Sequence, residues 1–255
     1  MYKRQDLGES KRLVEEDAFT TEPVKGNQMA QIEIMEVFAW SVLLNTFGNV
    51  PYSEALNPEN SLPAYDDASS VYGEILTRLD AALNRIDTDE IGFDEGDIIY
   101  EGNMELWWKF GNTLKLKLGM VIADVNSSMA QSVVEAAAPN VFMDNSENGA
   151  FPYLNAPPNN NPVSEEMNPL FTSRQDYVVA NTLVDAMNEL NDPRRPFYFT
   201  QVDGEYQGGI YGFSNSYSDF STINPTITDP TFEALLLDYS EVRFLLAEAV
   251  ERGYN

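Results

Sequence analysis

Residues 29–47 read MAQIEIMEVFAWSVLLNTF, a stretch apolar on nearly every face and free of Gly and Pro. Such a segment has no side suited to water, so it predicts a helix buried in the middle of a helical domain. The Gly48-Asn49-Val50-Pro51 sequence stops it. A second helix can be capped by Asp66 or Asp67, with Tyr72, Ile75, Leu76, Leu79, Leu83 and Ile86 recurring at three- and four-residue spacing. A third carries Trp107, Phe110, Leu114, Leu118, Val121 and Val125 as one stripe, with Lys109, Lys115 and Lys117 on other faces.

A shorter helix is expected over 127–138, ended by Pro139. Another presents Tyr177, Leu183, Val184, Met187 and Leu190 inward and stops at Pro193. The last runs from Leu235 to Glu251 with Val242, Leu245, Leu246 and Ala249 on one side. Residues 155–169 are rich in Asn and Pro and read as a surface loop. Residues 197–229 are dominated by Gly, Ser, Asn and aromatics and read as loop with a short hairpin. The chain is therefore mainly α, interrupted by long irregular excursions. The Tyr72 to Trp108 separation is close to the period near 34 residues of stacked helix pairs, without a full repeat signature.

The chain has 255 residues, 15 Lys plus Arg against 41 Asp plus Glu, and a formal net charge of −26. That charge repels a phosphate backbone and an anionic membrane surface, which removes nucleic acid and polybasic membrane docking from the expected partners. The chain contains no Cys and no His, which eliminates Ser-His-Asp and Cys-His catalysis, disulfides and the ordinary zinc, iron and copper sites. No cofactor and no metal are expected. With 43% apolar residues the chain should fold, and no run reaches the length of a membrane helix. Residues 1–5, Met-Tyr-Lys-Arg-Gln, back-translate to GTG TAT AAG AGA CAG, which resembles a sequencing-transposon adapter, so they are expected to be a cloning or assembly scar. The final amphipathic helix has no visible partner. Residues 6–255 are thus expected to form a single helical domain truncated at both ends.

Three segments together resemble the SusD/RagB-like nutrient-binding outer-membrane lipoproteins of Bacteroidetes. Asn45 to Ala55, NTFGNVPYSEA, is similar to that family's helix ending in a G-D-V-P-Y-x-E-A turn, with Asn49 in place of Asp. Tyr100-Glu101-Gly102-Asn103 followed by Trp107 to Leu118 is similar to its Y-x-G-D…W-x-K-F-A-N-S-L-x-L-R-L helix. Here Gly111 replaces Ala, Thr113 replaces Ser and Lys117 replaces Arg. Tyr239 to Ala249 with Arg252-Gly253 is similar to Y-S-E-V-x-F-L-x-A-E-A-x-x-R-G. Asn191 to Arg194 and Gly208 to Gly212 add a weaker fourth match. The resemblance implies a tetratricopeptide-like helical-pair scaffold with long loop insertions. It further implies a lipid-anchored position on the outer face of the outer membrane, the anchor being missing from this chain, and a TonB-dependent SusC-like transporter as partner.

Most of the motif residues read as structural. Trp107, Phe110 and Leu114 share one stripe and are expected in the core. Asn112 is expected to tie a neighbouring loop. Glu241, Arg243 and Glu248 are expected in surface or inter-helix ion pairs. The acidic run Asp87 to Asp97, DTDEIGFDEGD, invites a calcium reading. It places Ile91 and Ile98 where an EF-hand needs oxygen ligands, so a solvated acidic loop is expected.

A sugar offers one apolar face and a rim of hydroxyls, so its site needs flat aromatic faces edged by amides or carboxylates. Outside the helical stripes such residues are Tyr153, Asn155, Tyr206, Tyr211, Phe213 and Tyr217, with Asn215 and Asp219 close in sequence. They are the expected ligand-binding residues, and the same pattern also fits aromatics that plug loops onto the scaffold. The expected function is a non-catalytic binding component of an uptake complex, taking a glycan or oligopeptide. Two alternatives stand beside it: an all-α glycosidase using a carboxylate pair, and a helical-repeat protein-interaction scaffold.

Overall fold

The computed structural model describes residues 2–57 and 59–254. Met1 of the adapter-like segment lies outside the described residues, and the side chains of residues 2–5 are not described. The chain forms two compact units, one of residues 1–150 and 235–255, the other of residues 151–234.

The first unit contains α1 (Tyr2–Glu16), α2 (Glu22–Phe47), α3 (Ala68–Leu83), α4 (Met104–Val121) and α5 (Ser127–Ala137). Successive helices pack in pairs, α1 on α2, α2 on α3, α3 on α4 and α4 on α5. The longest, α2, buries residues on several faces, among them Ala30, Ile34, Val37, Trp40 and Leu44, as its uniform apolarity predicts. It starts with Pro23 in its first turn and stops at Gly48, whose φ of 70° is open to a residue without a Cβ. Side-chain caps start the later helices: Asp67 accepts from the Ser70 amide, Asn103 from Leu106 and Asn126 from Met129.

At the centre Phe110 is fully buried, with the rings of Trp107, Phe142, Tyr100 and Phe38 at 5.4 to 6.3 Å. Gly149 passes so close that a Cβ there would lie 2.5 Å from the Phe110 ring. The three lysines of α4 tie it to its surroundings. Lys109 pairs with Glu147, Lys115 with Asp80 at 2.5 Å, and Lys117 with Glu241 at 2.7 Å.

The acidic segment 87–97 is pinned from α2. The Asn27 amide donates to the carbonyls of Asp87 and Glu90 and accepts from the Asp87 N–H. Gln31 donates to Asp97, which also accepts from Trp107 Nε1 and from the amides of Ile99, Tyr100 and Gly102. Asp97 is therefore a buried side chain whose oxygens are satisfied by N–H donors, an arrangement that consumes the oxygen lone pairs a cation would need. The GNVPY turn is locked in the same manner: Asp66 accepts from the amides of Tyr52 and Ser53, and Asn49 accepts from that of Ala68.

Several expectations are corrected. The α4 stripe stops at Leu118; Val121 is half exposed and Val125, which lies beyond the helix end at Val121, is 83% exposed, because α5 covers the last turn on the side of Gly119 and leaves that of Val121 in water. Asn112 donates to Trp108 of its own helix, while Thr113 is the residue that holds a loop, through the amide of Phe142. The last helix does not begin at Leu235. Two strands, β1 (Gly149–Phe151) and β2 (Ala234–Leu237), pair first, and the terminal helix starts only at Tyr239 after the cap Asp238 and ends at Glu251. Within that helix Val242 and Ala249 are buried, Glu241 pairs with Lys117, Glu248 pairs with Arg252, and Arg243 lies over the Tyr239 ring.

The second unit carries the helices α6 (Pro162–Met167), α7 (Asn181–Glu189) and α8 (Arg195–Tyr198) among long irregular segments, so the terminal helix is α9 (Tyr239–Glu251). α6 lies inside the segment expected to be an open loop. Asn161 caps it and donates to the carbonyls of Ile227 and Asp229, which buries Asn161 and Ser164. The helix expected around Tyr177 to Leu190 is shorter, and only Val184 and Met187 of its stripe are buried. Tyr177 precedes it, and Leu183 and Leu190 are exposed because the cluster beneath is small: Val184, Met187 and Phe199, with Val179 and Tyr206 packed against it. The expected hairpin is a tight turn at Asp203-Gly204, closed by paired hydrogen bonds between Val202 and Glu205.

Candidate functional site

The second unit is ordered mainly by backbone seams and side-chain amides. The Gly209 amide donates to the Val179 carbonyl, the Asn181 amide to that of Gly209, and the Val179 amide to that of Ser221, all at 2.8 to 3.0 Å. The seam needs Gly208, because a Cβ there would stand 2.3 Å from the Asn181 Cα and 2.6 Å from its nitrogen. From this seam the chain projects residues 210–217. Asn215 accepts from the Ile210 amide and donates to the carbonyls of Ile210 and Phe213, while the Tyr211 amide donates to Asn181.

The loop so fixed holds Tyr211 77% and Phe213 74% exposed. Apolar rings kept in water on an anchored backbone form a surface whose ordering cost has already been met before a ligand arrives. They line a cleft of about 460 Å³ together with Gln175, Asp176, Tyr177 and Asn215. A second cleft, of about 240 Å³, shares Asp176 and Tyr177 with the first and is lined also by Glu166, Arg174 and Tyr217. A third, of about 490 Å³, continues past Arg174 and Tyr217 to Leu170 and Phe171. Arg174 is held between two carboxylates, its Nη1 2.6 Å from Glu166 and its Nε 2.6 Å from Asp176, and its guanidinium carbon lies 6.0 Å from the centre of the Tyr177 ring.

Of the residues expected from sequence, Tyr211, Phe213, Asn215 and Tyr217 come together along these clefts. Asn215 does so with its amide engaged by the loop backbone. Tyr206 lies five residues from Tyr211 but packs beside Phe199, with the Arg195 guanidinium 5.4 Å from its ring centre. Tyr153 stacks edgewise on Phe151 at 5.4 Å, and Asn155 is exposed; neither lines the three clefts. Asp219 is exposed and accepts from Ser218. Arg174, Gln175 and Asp176 carry no expectation from the sequence, and Tyr177 is expected on the inner face of a helix; all four lie in the irregular segment before α7. The signal available was the run of polar and aromatic side chains in RQDY.

Aromatic faces edged by Gln175, Asp176 and exposed backbone suit a ligand with an apolar face and a hydroxyl rim. A glycosidase would need a carboxyl group raised toward neutrality. The carboxyl groups that shift in this unit shift the other way. Hydrogen bonds from Arg194 hold Asp192 at about 2, and those from Thr231 hold Asp229 below the usual range.

A family model for SusD-like proteins, described as starch-binding associating with outer membrane, matches residues 1–255. Among solved structures, one described as a chitin-binding protein aligns with a TM-score of 0.83 at 27% identity, covering 98% of this chain and 56% of that one. A chitin-binding SusD homolog from Flavobacterium johnsoniae aligns at 0.76 and 29% identity, covering 89% and 48%. A SusD homolog from Bacteroides uniformis aligns at 0.82 and 25% identity, covering 97% and 51%. The chain thus spans about half the length of these structures. A search of curated proteins found no match. The fold is the tetratricopeptide-like helical scaffold expected from the resemblance, and the family and the first two of these structures are described as binding proteins.

Proposed function

Because the chain belongs to the SusD-like family of starch-binding proteins associated with the outer membrane, we propose that it is the non-catalytic, cell-surface binding component of a nutrient-uptake complex. The ligand is a glycan, with chitin oligosaccharides the first choice, since two structures named as chitin-binding share this fold at 27% and 29% identity. The reading includes lipid anchoring at the outer face of the outer membrane and delivery to a TonB-dependent SusC-like transporter. Among the described residues no helix is long and apolar enough to cross a membrane.

The observation that carries the proposal is the ledge of Tyr211 and Phe213, two exposed rings on a loop fixed by Asn215 and Asn181. Calorimetry and affinity electrophoresis against chitin oligosaccharides, starch and a peptide panel, with a parallel assay for released reducing ends, test it. Saturable glycan binding without new reducing ends is expected, and Tyr211→Ala or Phe213→Ala should each weaken it by about tenfold. Release of reducing ends, or binding that survives the double replacement unchanged, would overturn the reading.

A further inference from the structure

The clefts beside the ledge carry a charge arrangement that bears on which glycans can enter. Their charged lining residues are Glu166, Arg174 and Asp176. Arg174 is the cation there, and both of its carboxylate partners lie 2.6 Å away, so the trio presents a net negative charge with the guanidinium's Nε and Nη1 engaged. All three side chains are about half exposed, which leaves free carboxylate lone pairs open to the cleft. Carboxylate oxygens only accept hydrogen bonds. Sugar hydroxyls and acetamido N–H groups can donate to them; a uronate or sulfate cannot, and brings a like charge against two.

The rest of the unit supplies no counterweight. Residues 151–234 contain eleven Asp or Glu, three Arg and no Lys. Arg194 is paired with Asp192 at 2.5 Å, and Arg195 donates to Asn188 and to the Asp192 carbonyl.

Resting on the glycan-binding reading above, we infer that this site selects uncharged glycans and rejects acidic ones, with Glu166 and Asp176 as the residues that determine that specificity. They do so by pairing with Arg174 and outnumbering it, so that the ligand meets a net negative charge. The net charge of −26 would also disfavour an acidic polymer, but replacing Glu166 and Asp176 changes it by only two charges, so a preference that responds to those two replacements reports the local carboxylates.

The test compares chitin pentasaccharide with a hyaluronan oligosaccharide of similar length, which keeps N-acetylglucosamine at alternate positions and adds a carboxylate at the others. Calorimetry is run at 0.15 M and at 1 M salt, where the Debye length falls to about 3 Å. The wild-type chain should bind the acidic oligosaccharide about 30-fold more weakly than the neutral one at 0.15 M salt, and by a smaller factor at 1 M, from like-charge contacts with Glu166 and Asp176. The Glu166→Gln, Asp176→Asn double variant should bring the two affinities within about threefold, and adding Arg174→Gln to it should not bring the rejection back, because the carboxylates that repel are already gone. Both carboxylates are exposed, and circular dichroism checks that each variant stays folded. Equal affinities of the wild type for the two ligands at 0.15 M salt, or an unchanged ratio in the double variant, would overturn the inference while leaving glycan binding intact. Failure of every neutral glycan to bind would overturn both readings.

Discussion

The two units of this chain solve the same problem by opposite means. The first orders its backbone by burial: α2 and α4 are enclosed by neighbouring helices, and Phe110 sits inside a cage of four other aromatic rings. The second buries the small cluster of Val184, Met187 and Phe199 and relies on amides instead. Asn161, Asn168, Asn188, Asn215 and Asn224 each donate to backbone carbonyls, most of them far away in sequence. A hydrophobic core hides its aromatic side chains, whereas a polar lattice can hold a loop still and leave its rings in water. The lesson is that a shallow binding face is cheaper to build from hydrogen-bonded loops than from helices, because exposed apolar area is compatible with the former.

The largest effect expected from this contrast is at the aromatic cage. Phe110→Ala should cost the first unit about 3–5 kcal/mol, while Phe199→Ala, with fewer neighbours, should cost the second about 3 kcal/mol or less. Hydrogen exchange followed separately for the two units measures both, and an equal loss at Phe199 would break the contrast. Next comes the seam. Gly208→Ala forces a Cβ against the Asn181 backbone, and it should abolish glycan binding and open the amides of Asn181 and Gly209 to exchange. Retained protection at those two amides would show that the seam can relax around a methyl group.

The smallest effect is a pH dependence. Hydrogen bonds from Arg194 depress Asp192 to about 2, so folding gains stability that is fully present above the unfolded value of about 3.9 and is lost as pH falls from there through the folded value. In the first unit, burial raises the Glu33 carboxyl, but Arg78 and Lys11 outweigh it and hold it below the usual range, giving a loss in the same direction. Asp192→Asn should therefore flatten the acid limb of the second unit between about pH 4 and 2 and leave that of the first unchanged. Amide exchange or NMR intensities recorded across that range check it; a flattened limb in the first unit would show the two acid transitions to be one.

Much of the helical unit was legible in the sequence, because helix signals are local. Asp67 caps three residues ahead of the amide it accepts from, and the Tyr72, Ile75, Leu76, Leu79 stripe is buried as its spacing requires. The errors occur where a stripe needs something distant to cover it. Val125 and Leu190 continue apolar patterns and end in solvent, since no element arrives over them. Leu235 to Leu237 belong to an apolar run too short for periodicity to separate strand from helix, and pairing with Gly149 to Phe151, more than 80 positions earlier, decided for strand. Asn161 reads as a loop residue and is buried, because its side-chain amide donates to the carbonyls of Ile227 and Asp229, which the sequence does not place nearby.

By itself, then, the sequence determined that this is a helical chain, where the helices α2 to α5 lie, and that an Asn- and aromatic-rich insertion follows them. Those features follow from 3.6-residue periodicity, caps and breakers, all of which act within a few positions. Only the tertiary structure decided which aromatics form a binding face. Tyr206 and Tyr211 belong to the same Gly-rich loop and are chemically identical. One is covered by Phe199 and Arg195, and the other is left in water by a seam that closes on Asn181, so contacts between residues far apart in the chain sorted them.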